Sequence, residues 1–336
     1  MNHHHCFQVL EPSQVGEVRR AANAIALSNG YCAEAAGRVA IVATELASNL
    51  VKHTTAGGEI LLSSVETGES SGIEIISLDK GPGIENPQYV LQDGVSTAGT
   101  VGNGLGAVRR LSQVFDLYTR PGQGTAIVAR IFERGAPVTA TPLQVGAVLL
   151  PKPGEAVSGD GWAVRFRADG GMVLVTDGLG HGEQAAAASQ QALRLFLERA
   201  ISSPAQFIRG INEPMRHTRG AAMALATIDL VERHVVYAGV GNIAGRILSP
   251  QGVIGCLTYN GTVGLHPGRF QENSYSWPEQ ALLVMHSDGL TSRWDHTAYP
   301  GLLMRHPTVI AAVLYRDFFR GNDDVTVVVV QQGCMT

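Results

Sequence analysis

The sequence predicts an α+β chain of two domains, and three observations carry that prediction. Its 336 residues exceed what one domain of roughly 100–200 residues needs. Hydrophobic residues make up 45% against 16% charged, so each half can bury a sizeable core. The two halves also differ in pattern. In the first, helical spacing precedes the strands, whereas in the second, strands flank a pair of adjacent helices.

In the first half, Val15–Leu27 has helical spacing, with Ser13 as an N-cap and Gly30 as a stop. A second helix over 33–52 carries Val39, Val42, Leu46 and Leu50 on one side. It also carries Glu45 and Asn49, whose spacing of four places them on one face, one turn apart. Ile60–Val65 and Ile73–Leu78 read as strands, and the second runs into Asp79-Lys80-Gly81-Pro82-Gly83. Gly102-Asn103-Gly104-Leu105-Gly106 opens a helix expected over 105–114, and glycines there let backbone N–H groups approach phosphate oxygens. Gly122-Gln123-Gly124 leads into a strand, Thr125–Phe132. Residues 133–142, rich in Gly, Pro and small side chains, read as a short linker.

The second half is organised around Met172–Gly182, MVLVTDGLGHG. A β-prone run ends in Asp177, and glycines at 178 and 180 let the backbone approach whatever the carboxylate holds. Carboxylate and carbonyl oxygens suit hard cations such as Mg²⁺ and Mn²⁺. Taken alone, a plain Asp-Gly turn accounts for the stretch equally well. Three further stretches place acids at strand edges beside small residues: Ser158-Gly159-Asp160 before Trp162–Phe166, Asp288-Gly289 after Ala281–Met285, and Asp323-Asp324 before Val325–Val330. Bringing those strand ends together builds a carboxylate cluster able to hold two divalent ions. Strands are expected over 145–150, 222–230, 234–239 and 244–248, and helices over 183–200, 204–218 and 308–319. The turn at Gly239–Asn242 either lines the site or is an ordinary hairpin.

A net charge of −4 without a basic block argues against a nucleic-acid partner. No apolar run of membrane-spanning length and no signal-peptide pattern is present, so no membrane role and a cytoplasmic location are expected. Cys6, Cys32, Cys256 and Cys334 are far apart and read as reduced thiols. His3–His5 do not by themselves make a metal site.

The order GD…DGLGHG…SDGL…DDVT, over about residues 143–332, resembles the metal-dependent (PPM) serine/threonine protein phosphatases, in their SpoIIE-like and RsbX-like branch. The resemblance implies an α-β-β-α sandwich. It implies that Asp177 bridges two Mn²⁺ or Mg²⁺ ions, with the Gly178 carbonyl on one. Asp288 and Asp323 complete the second metal and Asp160 acts at the first. Two cations about 4 Å apart make a shared water acidic enough to attack a phosphate ester at neutral pH. His181 is then a candidate proton donor to the leaving oxygen, with bracing of the turn as its other role. Asp324 stands beside the expected ligand. The sequence shows no evident arginine for gripping phosphate; Arg165 and Arg167 follow the first acidic motif on a strand.

The set E-x-x-x-N, DxGPGI, GxGLG and GT, over residues 10–132, resembles the GHKL (Bergerat) ATP-binding α/β sandwich and, within it, the RsbT-like switch kinases. This implies ATP with Mg²⁺ as cofactor. Asn49 would hold Mg²⁺ and Glu45 would act as general base toward a protein hydroxyl. Asp79, supported by Thr125, would take the adenine amino group. Gly81 and Gly83 would shape the adenine side, and Gly102, Gly104, Leu105 and Gly106 the phosphate side. Residues 93–99 and the glycine loop would form a mobile lid.

The expected organisation is therefore an ATP-binding kinase domain at 1–133, a linker at 134–142 and a phosphatase domain at 143–336. The expected function is a bifunctional partner-switching regulator. It removes phosphate from serine or threonine on a STAS-type anti-sigma antagonist, and its N-terminal domain phosphorylates the same or a related protein. The expected setting is a stressosome-like or sigma-regulatory complex. The alternative is a phosphatase whose N-terminal domain is a nucleotide sensor or partner-binding module without kinase turnover.

Overall fold

A computed structural model describes residues 3–67, 70–91, 104–133 and 141–333. In the first half the elements are β1 (His5–Val9), α1 (Pro12–Ser28), α2 (Ala33–His53), β2 (Gly58–Thr67), β3 (Ser70–Leu78), α3 (Pro87–Val90), α4 (Gly104–Leu111), β4 (Val114–Thr119) and β5 (Thr125–Phe132). In the second half they are β6 (Leu143–Leu150), β7 (Asp160–Arg167), β8 (Gly170–Gly178), α5 (Glu183–Glu198), α6 (Pro204–Asn212), β9 (Ala221–Asp229), β10 (His234–Val240), β11 (Ala244–Ser249) and β12 (Gly252–Cys256). The chain continues with β13 (Glu272–Ser276), β14 (Leu282–His286), α7 (Pro307–Phe318) and β15 (Val325–Gln332). It divides into two compact units. One groups Asn2–Thr139 with Met304–Arg316, the other Ala140–Leu303 with Asp317–Thr336.

In the N-terminal unit an antiparallel sheet of order β1-β2-β3-β5-β4 carries α1 and α2 on one face. The spacing of α2 places Val39, Val42, Leu46 and Leu50 in that core, at most 2% exposed. Helix α1 begins earlier than its apolar spacing suggests. Pro12 occupies the first turn and Glu11, not Ser13, is the N-cap, with the Gln14 side chain accepting from the Glu11 N–H at 3.0 Å. The Ser13 hydroxyl donates to Glu11 instead. The expected helix over 105–114 stops at Leu111. Val114–Thr119 pair with β5 as an antiparallel edge strand, because Val114, Phe115 and Tyr118 suit a pleated surface better than a helix end.

The other face of this sheet is buried too. Every residue of β5 is buried, and Glu74 and Arg130, paired directly across β3 and β5, lie on the face opposite the α2 core. They meet Thr308 of α7. The helix expected late in the second half thus groups, through Arg316, with the N-terminal unit. Hydrogen bonds from Arg130 and Arg316 and burial of Pro307–Arg316 fix it there. His4, from the opening histidine run, is also buried, 3.4 Å from Glu74.

The C-terminal unit packs two five-stranded antiparallel sheets, β13-β10-β9-β8-β7 and β12-β11-β14-β15-β6. Val173, Val175, Tyr237, Leu283, Met285, Val328 and Val330 fill the space between them. Helices α5 and α6 cover the outer face of the first sheet through Leu193, Phe196, Phe207 and Ile211. Helix α6 ends at Asn212 rather than Thr218, because Pro214 has no N–H to continue it.

Candidate functional site

Two sites assemble, one in each unit. In the N-terminal unit the half-buried side chains of Glu45 and Asn49 flank Gly104. A Cβ there would stand 3.4 Å from Glu45 Oε2 and 3.7 Å from Asn49 Oδ1. The first turn of α4, with Gly104, Leu105 and Gly106, therefore faces the pair that the i, i+4 spacing aligned. Gly102 and the expected lid over 93–99 lie outside the described residues. A cleft of about 620 Å³ opens beside Glu45, lined by Arg19, Arg20, Asn23, Ile41 and Thr44.

Asp79 sits at the end of β3. Its Oδ1 accepts from the Gly81 N–H at 2.7 Å, and its own N–H donates to the Thr125 carbonyl at 3.0 Å. Burial pushes its carboxyl above the usual range, opposed by the Gly81 N–H, the Arg316 charge and Thr125. Gly83 and Gly124 have positive φ, and a Cβ at either would fall about 2 Å from the Arg120 or Asp79 carbonyl, so only glycine fits this cradle. The Thr125 hydroxyl lies 3.0 Å from that of Thr119, which in turn accepts from the Ile84 N–H at 2.8 Å. Sequence reasoning missed Thr119 because it lies on the unrecognised strand β4.

In the C-terminal unit the register of β7 against β8 sets Asp160 directly opposite Asp177. Asn242, at the glycine turn after β10, donates from Nδ2 to Asp288 at 2.7 Å and to Asp177 at 3.2 Å. The amide thus joins two of the expected ligands, and that turn lines the site. Gly178 admits nothing larger, since a Cβ would fall 2.1 Å from the Ala185 carbonyl at the start of α5. Asp323 lies on the loop before β15 and accepts from the Asp324 N–H at 2.9 Å. Asp324 is tied away: its oxygens accept from the N–H groups of Lys152 at 2.8 Å and Gly159 at 3.0 Å, fastening the loop before β7.

The electrostatics favour a cation. Asp160 is 1% exposed, and its Oδ2 has no hydrogen-bond partner. Burial and then the Asp177 charge push its pKa well above the carboxylate range, against the hydroxyls of Ser287 and Thr326. Burial, with the Asp288 charge next, pushes Asp177 up to about 7. Such groups stay ionised at neutral pH only if positive charge joins them. Among the described residues no three acidic, His or Cys side chains close on a single point. A hard divalent cation that completes its shell with water suits such oxygen donors.

His181, exposed on the turn after Asp177, is held by Glu155, with Nδ1 2.6 Å from Oε1. Sequence reasoning missed Glu155, which stands 26 residues away. It also missed the clamp behind Asp288: buried His286 accepts from the Trp294 indole at 3.3 Å, and the Arg246 guanidinium stacks on that ring. Arg165 and Arg167 turn from the site and donate to carbonyls of residues 196, 199 and 201.

Comparison with known proteins matches a stretch of each half of the chain to a family model. Residues 9–131 match the histidine kinase-like ATPase domain, and residues 168–332 match the stage II sporulation protein E family (SpoIIE). The serine/threonine-protein kinase RsbT of Bacillus subtilis is 32% identical over 129 residues, 38% of this chain and 96% of that protein. The phosphoserine phosphatase RsbX of the same organism is 26% identical over 142 residues, 42% of this chain and 71% of that protein. A solved structure described as "The bacterial stressosome: a modular system that has been adapted to control secondary messenger signaling" is 29% identical. It covers 56% of this chain and 99% of that one, with a TM-score of 0.53. No helix among the described residues is long and apolar enough to cross a membrane.

Proposed function

We propose, for a chain that belongs over residues 9–131 to the histidine kinase-like ATPase domains and over residues 168–332 to the SpoIIE family, a bifunctional partner-switching regulator. Its C-terminal unit is a metal-dependent protein serine/threonine phosphatase. Its N-terminal unit binds ATP with Mg²⁺ and phosphorylates a protein hydroxyl. The substrate we infer is a STAS-type anti-sigma antagonist of a stressosome-like complex, in line with the names of the relatives. The domain limits that serve this reading are 1–133 and 143–336, with α7 contributed to the first unit.

The observation that carries the phosphatase reading is the placement of Asp177 opposite Asp160 across β7 and β8 and, through the Asn242 amide, beside Asp288, with an orphaned buried oxygen on Asp160. Asp160, Asp177, Asp288, Asp323 and the Gly178 carbonyl are the oxygen donors for two Mn²⁺ or Mg²⁺ ions. Bound there, the ions supply charge neutralisation and an acidified water. Asn242 holds Asp177 and Asp288 at a fixed separation. His181, oriented by Glu155, supplies a proton to the departing serine or threonine oxygen.

In the N-terminal unit Asn49 is the Mg²⁺ ligand and Asp79, with Gly81, Gly83, Thr119 and Thr125, holds the adenine. The glycines of 102–106 take the phosphates. Glu45, beside a cleft open to a protein chain, is the base. Its placement next to Asn49 at Gly104 favours turnover over nucleotide sensing alone.

Hydrolysis of p-nitrophenyl phosphate with Mn²⁺, comparing the native chain with Asp177→Asn, tests the first activity. Loss in the variant is expected, and a native chain inert with every divalent ion would sink it. For the second, Glu45→Ala should abolish phosphate transfer to a STAS-domain protein while ATP still binds. A native chain that binds ATP but transfers no phosphate would leave the nucleotide-sensor reading, and unchanged transfer in the variant would remove Glu45 as the base.

A further inference from the structure

Beyond the two divalent ions that would neutralise the acidic cluster, the motifs of the sequence contain no cationic side chain to grip a phosphate dianion. Arg165 and Arg167, the candidates on β7, are committed to carbonyls near the end of α5. One guanidinium does reach the loop that carries the site. Arg219 Nη1 lies 3.1 Å from where a Cβ on Gly180 would stand, over the middle of the Gly178–Gly182 turn.

The backbone fixes that placement. Strands β8 and β9 pair Gly178 with Ala221. One step further, the Leu179 N–H donates to the Gly220 carbonyl at 3.0 Å, so Arg219 falls alongside Gly180. Thr218 locks the approach. Its hydroxyl donates to the Met215 carbonyl at 2.7 Å and accepts from the Gly220 N–H at 3.0 Å. On the other side, Ala221 exchanges backbone hydrogen bonds with Val263 at 3.0 and 2.9 Å. Gly180 has φ +89° and Gly220 φ +75°, so both turns need glycine to bring residue 219 this close. The residue is exposed, and among the described residues its guanidinium has no carboxylate or carbonyl partner. A rigid backbone therefore presents an uncommitted fork of donors beside a carboxylate site.

We propose that Arg219 binds the phosphoryl group of the substrate, its guanidinium taking the non-bridging oxygens as the ester lies over the Gly178–Gly182 turn. Phosphate matches a planar guanidinium bidentately, which a lysine cannot reproduce. This assignment rests on the phosphatase reading, and it makes Arg219 the substrate-gripping cation that the sequence motifs did not reveal.

The test uses the full chain with Mn²⁺, with inorganic phosphate as the probe, titrated calorimetrically, and p-nitrophenyl phosphate as substrate. Arg219→Ala should weaken phosphate binding roughly ten- to a hundredfold and raise KM more than it lowers kcat. Its Mn²⁺ affinity and melting temperature should stay at the native values. Arg219→Lys should recover part of the loss, Arg219→Gln should not, and Arg167→Ala should match the native chain. Phosphate binding within twofold of native in Arg219→Ala and Arg219→Gln overturns the proposal, as does a native chain that binds no phosphate. A native chain that binds phosphate through Arg219 but hydrolyses no ester keeps the proposal and defeats the phosphatase reading instead.

Discussion

Arg130 and Thr308, 178 residues apart in the chain, are joined by a 2.8 Å hydrogen bond from Arg130 Nη2 to the threonine hydroxyl. Both also hold Glu74, Arg130 through Nε at 2.6 Å and Thr308 through its hydroxyl at 3.1 Å. Burial alone would raise the Glu74 carboxyl, but the Arg130 charge and His4 outweigh it and hold the group at about 2. A lowered folded value contributes stability above the unfolded value near 4.5, lost as pH falls from there through about 2. Glu74→Gln removes that acid-limb dependence and strands Arg130 in the interior. The expected loss is about 3–5 kcal/mol of unfolding free energy at neutral pH. Urea denaturation at pH 7 and pH 3 checks this, and a variant as stable as the native chain at pH 7 would refute it.

The same cluster predicts how the N-terminal half behaves when cut out. Ile76 and Val128, paired across β3 and β5, lie with Glu74 and Arg130 on the face that receives Thr308. A fragment ending at Glu133 lacks α7 and leaves this apolar surface bare. It should self-associate, and fusing residues 304–318 back to it should restore a monomer in analytical ultracentrifugation. A monomeric, fully stable fragment would show that α7 is dispensable.

Arg316 reaches the nucleotide side of that unit. Its Nη1 donates to the Asp79 carbonyl at 3.1 Å, at the residue expected to take the adenine amino group. Removing the guanidinium loosens the end of β3 and takes a positive charge from beside a partly buried carboxylate. Arg316→Ala is expected to weaken ATP binding roughly tenfold, the worth of one hydrogen bond to a charged group. Fluorescent-nucleotide titration reads this directly. Equal affinity in the variant would free Asp79 from any dependence on α7.

What the sequence disclosed here followed the range of its interactions. The α2 face of Val39, Val42, Leu46 and Leu50 is a local period and lies buried as read. Asp79, Asp177 and Asp288 stand at strand ends marked by glycines, again a local signal. Thr119, Glu155 and Arg219 carry no such mark, and the glycine turn that ends in Asn242 leaves its role open. Each acts through a partner that only the fold brings close: Asn242 is 65 residues from Asp177. The displaced helix α7 has the same cause. Its spacing gives a helix, but which sheet it lies against is decided by Arg130 and Arg316, far apart in the chain.

Asn242 can be tested apart from the carboxylates it joins. Its amide spans Asp177 and Asp288 at 3.2 and 2.7 Å, so Asn242→Ala leaves both acids in place but removes the link. Outer partners of metal ligands commonly carry about 10–100-fold in affinity or activity. The variant should need correspondingly more Mn²⁺ for half-maximal hydrolysis, and Asn242→Asp, adding a charge to the cluster, should be worse. A Mn²⁺ dependence equal to the native one would assign Asn242 to the turn alone.

The Glu155–His181 pair separates proton donation from bracing. With Nδ1 held at 2.6 Å by the carboxylate, Nε2 of the exposed ring is left to face a substrate. A proton donor matters in proportion to how poorly the leaving oxygen departs unaided. His181→Ala should therefore slow phenyl phosphate, or a phosphoserine peptide, by roughly a hundredfold or more, within the usual range for a general acid. It should slow p-nitrophenyl phosphate far less, since that leaving group needs little help. Glu155→Gln keeps the side chain's size and should show the same bias, weaker in degree. If both esters slow equally, His181 acts by shaping the turn. The 2.6 Å contact would then serve the backbone around Gly182, where Glu155 Oε2 already lies 3.0 Å from the position a Cβ would take.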